Sequence, residues 1–327
     1  IDHFCRIYST KMVTRGGCGY FLSLHLSVDT IRTPSKGEPP MMPNDTPLDL
    51  DAYFKRIGYS GSRAPTLETL RALHFAHALA VPFENLTVLG GEPVLIDLKS
   101  LQTKIVQGNR GGYCFEVNGL FAAVLRALGF KVTTLIGRVR WKAPEEIETN
   151  RSHMMSLVDL PEGRFLADVG FGGVTMTGPI PFVTDEVLET PHEPRRLLAR
   201  DVQGSAGFEL QALLGDTWAP VYRFTLEPNG PADYEQANWQ TSTHPASIFK
   251  QFLIVGRPTA TTRKTIFNTG LTIRDLDGKA ETRTLGSVDE IAAVLAEHFD
   301  LRLSEDDKAR MLAPYFKSWQ AMAANVT

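Results

Sequence analysis

The sequence changes period at one place, and that change limits the folds open to it. Val117, Leu120, Phe121, Val124, Leu125 and Leu128 lie on one stripe, the i, i+3, i+4, i+7 spacing that buries one face of an α-helix. Gly129 is placed to end that helix. Immediately after Phe130, β-branched and apolar runs take over at residues 132–139, 154–160 and 165–169. Pro161-Glu162-Gly163 supplies a turn between the last two.

Both sides of the switch are consistent. Upstream, Leu50, Tyr53, Phe54 and Ile57 form a short amphipathic helix stopped by Gly58. Thr66 can cap a second helix carrying Leu67, Leu70 and Leu73, which Pro82 ends. A third is expected over residues 98–107, closed by Gly108. Downstream, short runs bounded by Pro and Gly continue to about residue 226 and read as an antiparallel barrel or sandwich. Strands over 265–275 and 280–285 flank the hairpin signal Asp277-Gly278. Ser287 and Glu290 form a capping box before Ile291, Val294 and Leu295, and a last short helix is expected over 305–312.

The order predicts an α+β chain: helices over 46–130, strands over 131–235, and a mixed α/β segment over 236–327. Residues 1–45 differ. They carry a Gly-rich patch at 15–19, an apolar stretch over 20–28 and Pro34, Pro39 and Pro40. His25 interrupts the apolar stretch and no small-x-small site follows, unlike a secretion signal. The expectation is a poorly ordered or non-native extension outside the functional fold.

Composition excludes several classes. Lys+Arg 34 against Asp+Glu 37 gives a formal charge of −3, without the basic excess of a nucleic-acid binder. No run of 18 apolar residues is present to span a membrane. The cysteines are Cys5, Cys18 and Cys114. They match neither a disulfide framework nor a zinc spacing, so no metal is expected and the chain is assigned to a reducing compartment, the cytoplasm.

Asn109-Arg-Gly-Gly-Tyr-Cys-Phe-Glu-Val-Asn-Gly-Leu-Phe carries the chemistry. Cys114 falls in the first turn of the clearest helix, where free amides and the positive end of the helix dipole favour thiolate over thiol. Gly111 and Gly112 allow a sharp turn and leave room for a substrate. The plain alternative is a small buried hydrophobe. Arg110 and Glu116 read as structural, a buried ion pair holding the helix start.

A thiol nucleophile needs a base. His74 and His77 sit at i, i+3 and read as a half-exposed helix face. His298 sits at a helix C-terminus and His244 in a turn. His153 opens a strand, and Asp168 follows inside another apolar strand. A buried carboxylate is costly unless paired, and an imidazole would compensate it, with Asp168 fixing the ring's tautomer. Simple ladder arithmetic resists this. A turn at Glu162-Gly163 pairs Leu157 with Asp168 and leaves His153 about four residues away, roughly 13 Å. A bulge, a crossing strand or an early departure from the ladder must close the gap.

These segments together resemble the arylamine N-acetyltransferases. The matches are Val81-Pro-Phe-Glu-Asn-Leu, Arg110-Gly-Gly-Tyr-Cys-Phe-Glu-Val-Asn-Gly-Leu-Phe, Ser152-His-Met, Ala167-Asp-Val-Gly-Phe-Gly-Gly, Phe224-Thr-Leu-Glu-Pro and Thr243-His-Pro-Ala-Ser-Ile-Phe. They are collinear from about residue 48 onward. The resemblance implies a cysteine-protease-like three-part fold, with an N-terminal helical bundle, a central antiparallel β-barrel and a C-terminal α/β lid. It implies a triad of Cys114, His153 and Asp168. It also implies acetyl-CoA as donor, no metal, and an arylamine, arylhydrazine or N-hydroxyarylamine as acceptor, with an acetyl-cysteine intermediate. Phe83, Val139 and Phe171 would line the acceptor pocket, and Ser152, Gly172 and Phe249 would meet CoA. For Val139 the alternative is plain core packing. Triad chemistry alone also fits a transglutaminase-like or papain-like hydrolase. A binding module with an inert cysteine is the alternative outside catalysis.

Overall fold

Local caps set the helices. The first, α1 (Leu50–Ile57), starts on Asp49, whose side chain accepts the Ala52 amide, and stops where Gly58 takes φ 66°. Glycine adopts that left-handed conformation without steric penalty. In α2 (Leu67–Ala80) the Thr66 hydroxyl accepts the Thr69 amide, and the helix ends just before Pro82. A two-residue strand β1 (Phe83–Glu84), α3 (Leu86–Leu89) and α4 (Leu98–Leu101) follow. The helix expected over 98–107 forms, but it changes to π winding over Gln102–Gln107. Then α5 (Cys114–Ala127) packs Val117, Leu120, Phe121, Val124 and Leu125 against Leu70 and Leu73 of α2. Each fully buried side chain of this kind contributes about 1.5–3 kcal/mol, so α5 is the anchor of the bundle.

The barrel consists of β2 (Lys131–Val139), β3 (Arg151–Leu160), β4 (Gly163–Ala167), β5 (Ile180–Pro181), β6 (Arg195–Val202), β7 (Ser205–Leu214) and β8 (Thr217–Phe224). The strand order is β5-β4-β3-β2-β8-β7-β6, antiparallel throughout. Bridges Thr184–Leu197 and Leu188–Arg195 bring the chain after β5 back to β6, so the sheet nearly closes. Leu135, Met155, Leu166, Leu197, Leu210 and Phe224 fill its interior. Ile136 and Met154 face the other way and join a cluster with Cys114 and Phe115.

Two details of this sheet depart from the expected ladder. Leu157 pairs with Leu166, not with Asp168. The turn is Pro161-Glu162, and Gly163 opens β4 at φ 128°. Asp168, expected inside the strand, lies one residue past its end. In the β2–β3 ladder, Gly137 pairs with His153 and Arg138 with Arg151, so Ser152 is skipped. Such bulges bend a strand and re-aim its groups.

The third part contains α6 (Pro231–Thr243), α7 (Ile248–Gln251), β9 (Ile254–Pro258), β10 (Thr262–Phe267), β11 (Gly270–Asp275), β12 (Ala280–Thr284), α8 (Val288–Phe299), α9 (Glu305–Asp307) and, after a π turn over Lys308–Leu312, α10 (Ala313–Ala324). The run expected as one strand over 265–275 is two strands. Asn268 takes φ 57°, and Phe267 pairs with Gly270 across the turn. The second sheet runs β1-β9-β10-β11-β12, so the lid borrows its edge strand from the bundle. The architecture is α+β: helical bundle, antiparallel barrel, α/β lid. This computed structural model describes residues 47–324, which belong to one compact unit. The extension expected over residues 1–45 lies outside the described residues. Among the described residues, no helix is long and apolar enough to cross a membrane.

Candidate active site

The start of α5 is fixed by close backbone packing. A Cβ on Gly111 would lie 2.0 Å from the Pro82 carbonyl oxygen, and one on Gly112 2.7 Å from Glu116 Oε2. The room expected for substrate at this glycine pair is therefore filled by the protein itself. Gly112 forms a parallel bridge with Phe83, and the Glu84 amide donates to its carbonyl at 3.1 Å. Glu116 accepts the Tyr113 amide at 3.0 Å.

The ion pair expected between Arg110 and Glu116 is instead two pairs. Arg110 holds Glu84 through Nη2 at 2.8 Å and Nε at 3.1 Å. Lys104 Nζ holds Glu116 at 2.6 Å and reaches Glu84 at 3.9 Å. Burial pushes the Glu84 carboxyl up, but Arg110 and Lys104 outweigh it and hold it below its ordinary value. For Glu116 burial prevails over Lys104, and its carboxyl sits above its ordinary value.

Cys114, the first residue of α5, is 3% exposed. Its Sγ meets the Ser152 carbonyl oxygen at 3.4 Å, so the bulged residue faces the sulfur. The Cys114 side chain is also near enough to the His153 ring to raise its pKa. His153 Nε2 lies 2.7 Å from Asp168 Oδ2, which leaves Nδ1 for the sulfur. The chain's departure from the ladder after Ala167 is what brings Asp168 back to His153.

Beyond that departure, four successive amides find side-chain acceptors. Asp168 N–H donates to His74 Nε2 at 3.2 Å, Val169 N–H to Asn118 Oδ1 at 2.9 Å, Gly170 N–H to Asp168 Oδ1 at 2.9 Å and Phe171 N–H to Thr175 Oγ1 at 3.0 Å. Asn118 Nδ2 adds bonds to Asp168 Oδ1 at 2.9 Å and to the Met154 carbonyl at 2.8 Å. Buried main-chain donors need such partners where the ladder stops.

Burial alone would lower the pKa of His153. The Asp168 charge, its hydrogen bond and the Cys114 contact outweigh burial and raise it to about 10. Burial alone would raise Asp168, but the His153 charge and the bonds from His153, Asn118 and Gly170 hold it below its ordinary value. The pair is therefore an imidazolium beside a carboxylate at neutral pH. Tyr222 packs on the His153 ring at 4.8 Å and Phe171 at 5.0 Å, edge-on.

The other residues singled out from the sequence gather unevenly. Phe249 lies 6.0 Å from Phe83 and 5.5 Å from Tyr113, ring to ring. Phe83 and Tyr113 share one buried cluster with Cys114. Gly172, at φ 78°, approaches the Phe83 ring, which a Cβ there would meet at 3.4 Å. A Cβ on Gly256 of β9 would lie 2.8 Å from the Gly172 carbonyl carbon, so lid and barrel meet backbone to backbone. Ser152, Phe171, Gly172, Phe83 and Phe249 thus surround Cys114 and His153. Val139 ends β2 half-buried and reaches the cluster through its ladder partner Tyr222.

His74 and His77, expected on a half-exposed face, are both fully buried. The α2 face that carries them packs edge-on against Phe121. Asn118 and Tyr222 are not among the residues that the sequence points to, and His74 reads there only as part of a helix face. Asn118 had a usable signal: an amide at i+4 from Cys114, inside an apolar stripe, must find buried partners. A groove of about 460 Å³ lined by Arg138, Arg151, Arg223 and residues 224–227 is separate, and none of the three triad positions lines it. Among the described residues, no group of three or more His, Cys, Asp and Glu side chains stands where it could hold a metal ion.

A thiol at a helix start, an imidazole and a buried carboxylate, carried by bundle and barrel, form the arrangement of cysteine-dependent acyl-transfer enzymes. A family model described as N-acetyltransferase matches residues 66–308. The arylamine N-acetyltransferase of Escherichia coli (strain K12) is 40% identical over 261 residues, covering 80% of this chain and 91% of the relative. The Salmonella typhimurium arylamine N-acetyltransferase / N-hydroxyarylamine O-acetyltransferase is 38% identical over 64% of this chain and 72% of its own length. The solved structure of the Mycobacterium marinum arylamine N-acetyltransferase in complex with CoA is similar at TM-score 0.77 and 36% identity, covering 82% of this chain and 99% of that one. The chain belongs to the arylamine N-acetyltransferase family.

Proposed function

We propose that the chain carries an acetyl group from acetyl-CoA to the nitrogen of an arylamine, arylhydrazine or N-hydroxyarylamine, through an acetyl-Cys114 intermediate. The observation that carries this reading is the His153–Asp168 contact at 2.7 Å with Cys114 at the same ring. In the first half-reaction the Cys114 thiolate attacks the thioester carbonyl carbon. The carbon–sulfur bond to CoA breaks, and the His153 imidazolium gives its proton to the departing CoA thiolate. In the second, the acceptor nitrogen attacks the acetyl carbon and its proton passes to His153. The bond to Cys114 breaks and the starting ion pair returns. The Cys114 amide at the helix start is a donor for the transient oxyanion.

The surroundings suit this acceptor class. Weakly basic aromatic amines are neutral nucleophiles at pH 7, and Phe83, Phe171 and, at the rim, Val139 offer an apolar lining. Ser152, Gly172 and Phe249 stand on the side we assign to CoA. The relative solved with CoA supports the donor. The three parts divide the work: residues 46–130 carry the nucleophile, 131–235 the histidine and aspartate, and 236–327 the lid. A free buried thiol also suits the reducing cytoplasm.

Mass spectrometry after mixing with acetyl-CoA, without acceptor, tests the reading. One acetyl group on the peptide holding Cys114 and one equivalent of released CoA are expected. Continuous CoA release without a stable acetyl-enzyme would identify a hydrolase, and no acetylation would sink the proposal.

A further inference from the structure

The Asp168 amide is a buried donor just beyond the last residue of β4, past the final pair of the β3–β4 ladder, Ser156 with Ala167. A ring nitrogen from another element, His74 Nε2, accepts it at 3.2 Å. His74 is fully buried, and its ring is held edge-on by Phe121 at 5.7 Å. To accept through Nε2 the ring must be neutral with its proton on Nδ1. Asn118 already braces the carboxylate end of the same residue through Oδ1. The main-chain end is therefore held by α2 and the side-chain end by α5.

We infer that His74 is a positioning residue, whose neutral ring pins the Asp168 main chain so that the carboxylate meets His153 in line. The inference rests on the triad reading above. Among the described hydrogen bonds, His74 makes none to the Cys114, His153 or Asp168 side chain, and acts through the peptide that carries the last of them. A charged His74 could not accept the bond. Burial supplies the neutrality, pushing its pKa down to about 4 against the raising influence of Asp168. One charged group faces the ring, the Asp168 carboxylate; the neighbouring His77 is neutral.

Two substitutions separate positioning from packing. His74→Leu keeps the bulk and removes the acceptor, while His74→Gln restores an acceptor oxygen at similar reach. Circular dichroism and thermal melting establish that both fold. NMR titration of the His153 ring and the single-turnover rate of CoA release are then measured. With His74→Leu, the His153 titration is expected to fall by at least about one pH unit from its value near 10, and CoA release to slow at least about tenfold. With His74→Gln, both should return most of the way. An unchanged His153 titration in His74→Leu, or equal damage in both variants, would overturn the inference. If the wild-type protein shows the raised titration and His74→Leu lowers it, yet no CoA is released by any form, His74 keeps its role and the acetyl-transfer reading is what fails.

Discussion

At the scale of single residues, the site is a chain of charge and hydrogen bonds with one sign at each position. Replacing Asp168 by Asn should leave the packing almost intact, because the amide is isosteric. It should also let the His153 ring turn to the wrong tautomer. Single-turnover CoA release is expected to drop on the order of 10³–10⁴-fold, with a melting temperature near that of the wild type. A fall of less than tenfold would remove Asp168 from the mechanism. The buried histidines of α2 make a different prediction, about stability. Burial lowers His77 to about 3 and His74 to about 4, whereas unfolded histidine titrates near 6.5. Below pH 6.5 the unfolded chain binds more protons, so stability must fall as acid is added, by up to about 1.4 kcal/mol per pH unit for each ring. His153 acts on the other limb. Its raised value stabilises fully below 6.5, and that contribution is lost as pH rises toward 10. Urea midpoints measured from pH 4 to 10 should therefore peak near pH 6.5. His77 Nδ1 bonds the Tyr53 hydroxyl at 2.8 Å; in His77→Gln, whose side chain can still bond Tyr53, the acid limb should flatten. An acid limb as steep as the wild type's would contradict the assignment.

At the scale of elements, what the sequence disclosed was what neighbouring residues decide. The stripe of α5, the Thr66 and Ser287 caps and the glycine stops at 58 and 129 are local, and each formed where expected. The register of β3 against β4, the Ser152 bulge and the division of residues 265–275 into two strands were not legible. They depend on which partner strand is present and on backbone angles at Gly163 and Asn268. The same limit hid Tyr222, which meets His153 only because β2 and β8 pair. Cys114, His153 and Asp168 could be singled out, but ladder arithmetic could not join the last two. Glycines give a contrast that tests the packing of α5. Gly119 sits within the helix with ordinary contact to Leu101 at 3.5 Å, so Gly119→Ala should stabilise by about 1 kcal/mol. Gly111→Ala drives a methyl into the Pro82 carbonyl and should cost more than about 3 kcal/mol. Thermal melts of the pair should move in opposite directions. A melting temperature in Gly111→Ala that is unchanged or raised would mean that the close approach at Gly111 is wrong.

At the scale of the whole molecule, bundle and lid are tied together by a short strand. Phe83 and Glu84 pair with β9 of the lid, and Phe83 also bridges Gly112 ahead of the nucleophile. Separating the lid would break main-chain bonds to the strand that braces the helix start. Unfolding should therefore be one transition. Trp141 packs on the barrel core and Trp319 on the lid core, which gives barrel and lid each a reporter. Fluorescence of single-tryptophan variants and far-ultraviolet circular dichroism should give coincident urea curves, and an earlier midpoint for Trp319 would show the lid unfolding on its own. The contact between Gly256 and Gly172 has a consequence for variation. With bare chain on both sides, the gap there has no adjustable side group, and its width is inherited from the two sheets. In the acceptor pocket proposed above, any tuning of which molecules fit therefore falls to side chains such as Phe83 and Phe171 rather than to this backbone seam.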